Sequence, residues 1–224
     1  MKVWRHLAVW ALWACPAALA QSGQIVDRVV ANVNGHVLLQ SDWEEELAME
    51  GLLDARPLDT FTAAERTAAL GRLIDQELLR EQVRPAASVP ADQIAERLKD
   101  IRKLYPSSST DEGWRDILSR SGLTESTLEK RLGENLELML LVDARLRPSI
   151  QIDHKAVESY YQDQFLPQLR KSGGKEVTLS EVVSHIRDVL AEEKLNQLLS
   201  SWLNNLRSEG HIETRESDGG DQLR

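Results

Sequence analysis

The chain has 224 residues, with 36 acidic and 27 basic side chains and a net charge of -9 at pH 7. Nucleic acid and anionic membrane surfaces are poor partners for so acidic a chain, because both carry negative charge themselves. The chain has one cysteine, so no disulfide within it can stabilise the fold.

The first 20 residues have the three parts of a secretory signal peptide. Two basic residues come first, LAVWALWACPAALA is a short apolar run, and Ala18-Leu19-Ala20 is an A-x-A cleavage site. The run is shorter than the roughly 20 residues of a membrane-spanning helix, and it contains Pro16. We therefore expect export, cleavage after Ala20 and no stable membrane anchor.

Cleavage there changes the composition of the chain. It removes Cys15, the only cysteine, together with Lys2 and Arg5, so the net charge moves from -9 to -11. The stretch before Cys15 faintly resembles a lipoprotein signal, but Trp13 fits that motif poorly. Lipidation of Cys15 is therefore the less favoured alternative.

The exported part begins with β-structure. Two runs rich in β-branched residues, IVDRVV and HVLLQ, flank Asn34-Gly35, a dipeptide that accepts the positive φ angles of a tight hairpin turn. An alternating segment, HIETR, lies at residues 211–215. Because an isolated hairpin is marginally stable, we predict that residues 211–215 pair with it as a third strand.

Helical spacing of apolar residues follows the hairpin. Ser41 and Glu44 form a capping box that predicts the start of the first helix, and Thr62 and Glu65 form a second one before a helix over about 63–83. Four more helices are predicted from Pro90 to Pro106, around Trp114 to Gly122, from Glu125 to Arg147 and after the cap Asp153.

A long helix is predicted to end the helical part of the chain. It starts at a third capping box, Thr178 and Glu181, and ends at Gly210. We assign to its single buried side Val182, Ile186, Val189, Leu190, Leu198, Leu199, Trp202 and Leu206. The glycine-containing segment at about 167–177 is predicted to be an exposed linker, and residues 216–224 a polar tail.

Several segments, in this order, resemble the SurA family of periplasmic chaperones. They are VDRVVANVNGHVLLQSDWEEEL, LGRLIDQELLREQV, LTESTLEKRLGENLELMLLVDARL and IDHKAVESYYQ. The likeness spans about residues 24–215 and lies in the order and spacing of the parts. It implies a mainly helical chaperone core, residues 21–215, with a small antiparallel β-element and a C-terminal helix that returns to the core. It also implies a periplasmic protein whose clients are unfolded polypeptides, in particular outer-membrane protein precursors.

One part of that family has no counterpart in this sequence, the parvulin-type prolyl isomerase domain. A domain of this kind needs roughly 90 residues, whereas only 16 residues lie between Tyr161 and Thr178. His185 and the glycines of the tail resemble parvulin fragments, but neither has the surrounding sequence of an isomerase site. We therefore expect no isomerase domain.

Other catalytic motifs are also missing. The histidines after the signal peptide have no H-E-x-x-H spacing, and neither a G-x-S-x-G elbow nor a phosphate-binding loop is present. We interpret Glu44, Glu45 and Glu46 as a solvated helix face and not as a cation site. The sequence thus predicts no catalytic residue, no metal and no cofactor.

Large, soft apolar side chains suggest a surface that binds clients. Methionine adapts to varied partners, and tryptophan offers a large contact area. We predict as client-binding residues Trp43, Met49, Leu52, Leu53, Phe61, Trp114 and Met139. An ordinary place in the core is the alternative for each of them.

Three functions remain open at this point. The leading hypothesis is an ATP-independent chaperone, or holdase, that binds unfolded polypeptides. The alternatives are a prolyl isomerase with residual or borrowed activity, and a structural adaptor. Such an adaptor would dimerise by swapping its C-terminal helix across residues 172–175, so a monomer and a helix-swapped dimer are both considered.

Overall fold

The structure is a computed structural model that describes residues 27–82 and 89–215. The predicted signal peptide with its cleavage site, Cys15 and the tail at 216–224 lie outside the described residues. Among the helices of the described residues, none combines the length and the apolar character that crossing a membrane requires.

The protein is mainly helical with a small antiparallel sheet, as the sequence predicts. The strands are β1 Val29–Val33, β2 His36–Leu39 and β3 Ile212–Thr214. The helices are α1 Gln40–Leu53, α2 Ala63–Arg80, α3 Ala91–Lys103, α4 Asp111–Arg120, α5 Glu125–Leu146, α6 His154–Tyr160, α7 Leu166–Lys171 and α8 Leu179–Glu209.

The N-terminal hairpin and the C-terminal strand form one sheet in the order β2-β1-β3. Asn34 and Gly35 have φ angles of 51° and 91°, as the two central residues of a type I′ turn require. The Asn34 N–H donates to the carbonyl of His211 at 2.8 Å, and its side-chain oxygen accepts the His211 N–H at 2.7 Å. The predicted pairing of residues 211–215 with the hairpin is confirmed.

Two of the three predicted capping boxes start helices. Glu65 accepts the Thr62 N–H at the start of α2, and Glu181 accepts the Thr178 N–H at the start of α8, both at 2.7 Å. In both boxes the N3 carboxylate satisfies a backbone donor at the helix start.

The predicted capping box at Ser41 is wrong. The N-cap of α1 is Leu39, whose N–H donates to the Asp42 carboxylate at 2.9 Å. The Gln40 N–H still bonds the carbonyl of Arg28 at 2.7 Å, so β2 leads directly into the helix. The hydroxyl of Ser41 donates to the Asp27 carboxylate.

The prediction of a single buried side for α8 also needs correction. Its two buried residues, Ile186 and Leu195, are nine positions apart, which is about 900° of helix rotation and therefore opposite faces. Leu195 packs with residues of α2 and α5, and α8 also contacts α6. The buried face changes because α8 packs against different helices along its length.

The region predicted as a linker is partly helical. Helix α7 continues to Lys171, and a wider π-helical turn, Tyr161–Phe165, joins it to α6. Residues 172–178 connect α7 to α8, with Gly173 at φ 73°. The Tyr161 hydroxyl donates to the carbonyl of Val177 at 2.6 Å and holds the connection against α6 and α7.

Buried apolar residues gather mainly in three clusters. The sheet cluster contains Val30, Ala31, Val33, Leu38, Leu73, Ile74 and Leu78. The α8 cluster contains Leu79, Leu138, Val142 and Leu195. The central cluster, between α1, α3, α4 and α5, contains Ala48, Met49, Leu52, Ile101, Trp114, Leu118, Leu123, Leu128 and Leu132.

Candidate functional site

Three neighbouring surface cavities are lined by residues of the central cluster or by residues packed against it. We call them the α3 cavity, of about 710 Å³, the α4 cavity, of about 500 Å³, and the α1 cavity, of about 510 Å³. Tyr105 lines both the α3 and the α4 cavity, and Leu58 lines both the α4 and the α1 cavity. The three together are called the central groove below.

The α3 cavity has an apolar helix face as its wall. Ile94 and Leu98 line it and are half-buried, whereas Ile101 on the same face of α3 is buried. The i, i+4, i+7 spacing of these three residues places them in one stripe. The stripe is thus covered only at its Ile101 end, and the other two side chains keep apolar surface available for contact.

Tyr105 forms the wall between the α3 and α4 cavities. Its hydroxyl donates to the carbonyl of Leu52 at 2.7 Å, and its ring is tilted against Trp114 with centroids 6.5 Å apart. Burial raises the pKa of the Tyr105 hydroxyl, and the negative charge of Asp54 raises it further. The phenol therefore stays protonated at neutral pH and keeps this donor.

The α4 and α1 cavities have floors of small residues. Ala48, Gly51 and Ala55 line the α4 cavity with Leu58 and Ile117, and Ala48 also lines the α1 cavity. A side chain at the Gly51 position would meet the carbonyl of Arg56 at 2.8 Å. The small size of Gly51 is thus required by the chain's own backbone, which approaches it closely.

Charged residues line the groove in an uneven pattern. The α3 cavity has three cations, Lys99, Arg102 and Lys103, against one acid, Glu129. The opposite end has more acid, since Glu44, Glu45 and Arg66 line the α1 cavity. In the α4 cavity between them, the charged lining residues are Arg56, Asp59 and Arg120.

Four of the seven predicted client-binding residues lie in the core. Met49, Leu52 and Trp114 belong to the central cluster, and Phe61 is buried with Leu47 and Ala69. Their side chains have almost no surface to offer a client in this conformation. They form the layer directly beneath the groove or beside it, because the same apolar character that attracts clients also drives burial.

The other three predicted residues keep accessible surface outside the central groove. Trp43 is half-buried, donates its indole N–H to the carbonyl of Arg66 at 2.9 Å and lines a separate cavity of about 510 Å³ with Arg207. Leu53 is half-buried at the edge of the central cluster. Met139, on α5, is 64% exposed.

The run of three glutamates at 44–46 on α1 differs from the expected solvated face. Only Glu44 is exposed, whereas Glu46 is buried and accepts a hydrogen bond from the Gln76 side chain at 2.8 Å. Burial raises the pKa of the Glu46 carboxyl, and the hydrogen bond from Gln76 opposes this. Glu45 accepts a bond from Arg131 at 2.9 Å. No group of three or more metal-binding side chains occurs within 27–82 and 89–215.

Sequence reasoning missed the groove residues because they are of ordinary types. Ile94 and Leu98 fit the apolar stripe of the helix predicted between Pro90 and Pro106, and Ile117 marks the short helix around Trp114. Tyr105 and Leu58 have no distinguishing pattern. A weak signal was present in the small residues around them, such as Ala48 and Gly51, at positions where a core favours larger side chains.

Comparison with known families gives one match. A family described as the SurA-like N-terminal domain matches residues 2–142. That range contains β1, β2, α1 to α4, most of α5 and every residue that lines the central groove. No curated protein matches the chain. Helices α6 to α8 and β3 lie beyond the matched range.

Proposed function

The chain belongs to the SurA-like N-terminal domain family, and we propose that it is an ATP-independent holdase that binds unfolded polypeptides in the central groove. The family is periplasmic, and its N-terminal domain is a non-catalytic domain of chaperone type. Membership therefore supports a chaperone-like role, and the groove supplies a surface for it.

The observation that carries the proposal is a half-covered apolar layer above a fully buried core. Ile94, Leu98, Tyr105, Leu58 and Ile117 pack against the central cluster on one side and line the groove on the other. A layer of this kind does not collapse when it is empty, because the core beneath it is already packed. It can still bury apolar area when a client segment covers it.

The expected affinity is weak for one segment. Covering the remaining apolar surface of a half-buried side chain contributes about 1 kcal/mol, and part of this is lost in ordering the client. A few such contacts give a Kd on the order of millimolar. Release then needs no ATP, and a long unfolded client is held by repeated contacts.

The finer parts of the proposal come from the resemblance to the family. We propose that the chain is exported, that it is cleaved after Ala20, and that its clients include outer-membrane protein precursors. Trp43, Leu53 and Met139 remain candidate contacts outside the groove, because each keeps accessible apolar surface.

The test is an aggregation assay with the chain from Gln21 onward. A chemically unfolded client is diluted into buffer with near-stoichiometric amounts of the protein, and light scattering is followed. We expect suppression by the parent chain and weaker suppression by the double variant Ile94→Gln/Leu98→Gln. The matched control is Val37→Gln, which changes a 44% exposed apolar residue on β2.

The possible outcomes distinguish the holdase function from the location of the binding site in the groove. If the parent neither suppresses aggregation nor binds the client, the holdase proposal fails. If the parent suppresses aggregation and the groove variant does so equally well, the groove is not the site. Circular dichroism of both variants checks that they remain folded.

A prolyl isomerase is the competing class, and a proline-limited refolding assay distinguishes it. A holdase leaves the slow step unchanged or delays it, whereas an isomerase accelerates it. The connection between α7 and α8 spans only residues 172–178, which is far from the roughly 90 residues of a further folded domain. We therefore expect no acceleration.

A further inference from the structure

The charged side chains that line the α3 cavity are mostly basic, although the whole protein is acidic. The chain has a net charge of -9, yet Lys99, Arg102 and Lys103 line this cavity with Glu129 as its single acid. The α1 cavity at the other end of the groove has two acids and one cation. The lining of the groove therefore has more basic side chains at the α3 end and more acidic ones at the α1 end.

Two of these cations are available to a ligand. Lys99 pairs with Glu96 at 3.4 Å and Lys103 with Asp100 at 2.7 Å, and the four side chains are between 48% and 64% exposed. Exposed pairs three residues apart on a helix contribute little and exchange readily with water. The lysines can thus contact a new carboxylate without breaking a structure that the fold needs.

Arg102 has a different, structural role. It donates to the carbonyl of Ser108 and to the Asp111 carboxylate, both at 3.1 Å, and it lies over the Trp114 ring at 5.5 Å. These contacts fix its position between α3 and α4. Arg102 adds positive charge at the wall of the cavity. Its substitution would also remove these structural contacts, so it would not test ligand binding alone.

The acidic end is fixed by contacts within the protein. Glu45 is held by Arg131 at 2.9 Å, and Glu44 accepts a bond from the Gln40 side chain at 2.9 Å. A ligand carboxylate at this end would meet like charge, which is unfavourable. The two ends of the groove therefore discriminate between ligand charges in opposite senses.

We propose that the central groove selects extended apolar segments that have acidic residues at one end, and that this acidic end lies in the α3 cavity between Lys99 and Lys103. The inference rests on the proposed holdase function and names its substrate class. The apolar residues of the segment cover Ile94, Leu98 and Tyr105, and its carboxylates replace Glu96 and Asp100 as partners of the two lysines.

The test uses three fluorescent peptides with one shared core of alternating leucine, valine and alanine. Two glutamates, two lysines or two serines follow the core, and binding is measured by anisotropy at low and at high salt. We expect the glutamate peptide to bind about tenfold more tightly than the lysine peptide at low salt. The difference should shrink at high salt because exposed charges are screened.

A pair of charge variants locates the effect. In Lys99→Gln/Lys103→Gln we expect the affinities for the glutamate and lysine peptides to become equal within about twofold, with the serine peptide unchanged. The matched control is Lys155→Gln/Lys171→Gln, which removes the same charge from exposed positions on α6 and α7. The control should keep the preference. Equal urea midpoints for the two variants show that neither change acts through folding.

Each outcome tests one of three claims, namely the charge preference, its placement in the α3 cavity and the holdase function. Equal binding of all three peptides by the parent overturns the charge preference and leaves the holdase proposal intact. A preference that survives in Lys99→Gln/Lys103→Gln overturns the placement in the α3 cavity. If no peptide binds while aggregation of an unfolded protein is still suppressed, the charge inference falls and holdase function stands. If neither is observed, the proposed function itself falls.

Discussion

The sheet region and the groove region of this protein cover their apolar surface differently. In the sheet region, Leu206 and Ile212 from the end of the chain pack against the sheet cluster, which is otherwise built from residues 30–78. In the groove region, Ile94, Leu98 and Ile117 pack on the central cluster and are left half-buried. Both regions have a packed core, but within residues 27–82 and 89–215 only the sheet cluster is covered by a segment from the far end of the sequence.

The comparison indicates how an apolar binding surface coexists with a stable fold. Burial of the central cluster stabilises the helices, and the half-covered layer above it is left for other contacts. The sheet region instead uses a strand from the far end of the sequence to close its surface. Four predictions probe this contrast, from the largest expected effect to the smallest.

The first prediction compares the buried core with the layer above it. Leu128→Ala removes a fully buried side chain of the central cluster and should lower the free energy of unfolding by about 3 kcal/mol. Ile94→Ala removes a half-buried side chain and should cost about 1 kcal/mol. Urea denaturation measures both.

The client affinity of the same two variants should rank in the reverse order. Ile94→Ala should weaken peptide binding several-fold, whereas folded Leu128→Ala should bind nearly as the parent does. Equal losses of stability in the two variants would show that the layer at Ile94 is part of the core.

The second prediction concerns a chain without β3, the strand that packs Ile212 against the sheet cluster. A chain that ends at Gly210 loses the pairing of β3 with β1 and the packing of Ile212. We expect the unfolding free energy to fall by about 2 kcal/mol, from lost backbone hydrogen bonds and apolar burial. Hydrogen exchange should show faster opening of α8 around Trp202.

The matched control for this deletion is Glu213→Gln in the full chain. It changes an exposed side chain of β3 and leaves the backbone pairing, so its effect should stay within about 0.5 kcal/mol. If α8 exchanged as slowly in the shortened chain as in the full one, the strand would not hold the helix.

The third prediction compares two glycines at the contact between the sheet region and α8. In Gly210→Ala the new methyl would meet the Leu206 carbonyl at 2.9 Å and the Leu78 side chain at 3.2 Å. Such overpacking should cost about 1 kcal/mol or somewhat more. The thermal midpoint measures this loss.

Gly71→Ala is the contrasting substitution. It lies inside α2, and its new methyl meets only the Arg207 side chain, at 3.7 Å. Alanine is favoured over glycine within a helix, so we expect a gain of about 0.5 to 1 kcal/mol. A loss at both positions would mean that α8 packs too closely on α2 to accept any added atom.

The fourth prediction concerns Glu46, on α1 and hydrogen-bonded to Gln76 of α2. Burial raises the pKa of its carboxyl above the value in the unfolded chain. The folded state then binds the proton more tightly, so this group's contribution to stability is present at low pH and is lost as the pH rises through the raised pKa.

The variant Glu46→Gln removes this loss and keeps an oxygen to accept from Gln76. We expect Glu46→Gln to be more stable than the parent at neutral pH, with a difference that disappears below the pKa of an unfolded glutamate. Glu44→Gln, at an exposed position, serves as the control. A difference between Glu46→Gln and the parent that does not vary with pH would exclude titration of Glu46 as its cause.

The sequence predicted local structure where the signal itself is local. Asn34-Gly35 specifies a turn with positive φ angles, and Thr62 with Glu65 satisfies backbone donors at the start of α2. These contacts lie within a few residues and need no distant partner. The cap at Ser41 was wrong because Asp27 takes its hydroxyl and the strand runs directly into the helix.

Client contacts were harder to predict because burial depends on what covers a residue. Trp114 and Met139 are both large and apolar, yet Trp114 is in the core and Met139 is 64% exposed. Likewise the stripe of α8 looked continuous, but its buried face moves from the side of Ile186 to the side of Leu195. Residue type and spacing predict neither difference.

The sequence by itself determined the hairpin, most of the helices, the resemblance to the SurA family and the pairing of residues 211–215 with the hairpin. Only the tertiary structure decided which apolar residues are buried, because the residues that bury them come from segments distant in the chain. Ile212 packs against the sheet cluster, whereas Ile94 and Leu98 stay half-buried beside two exposed lysines. The apolar surface of the groove arises from that difference.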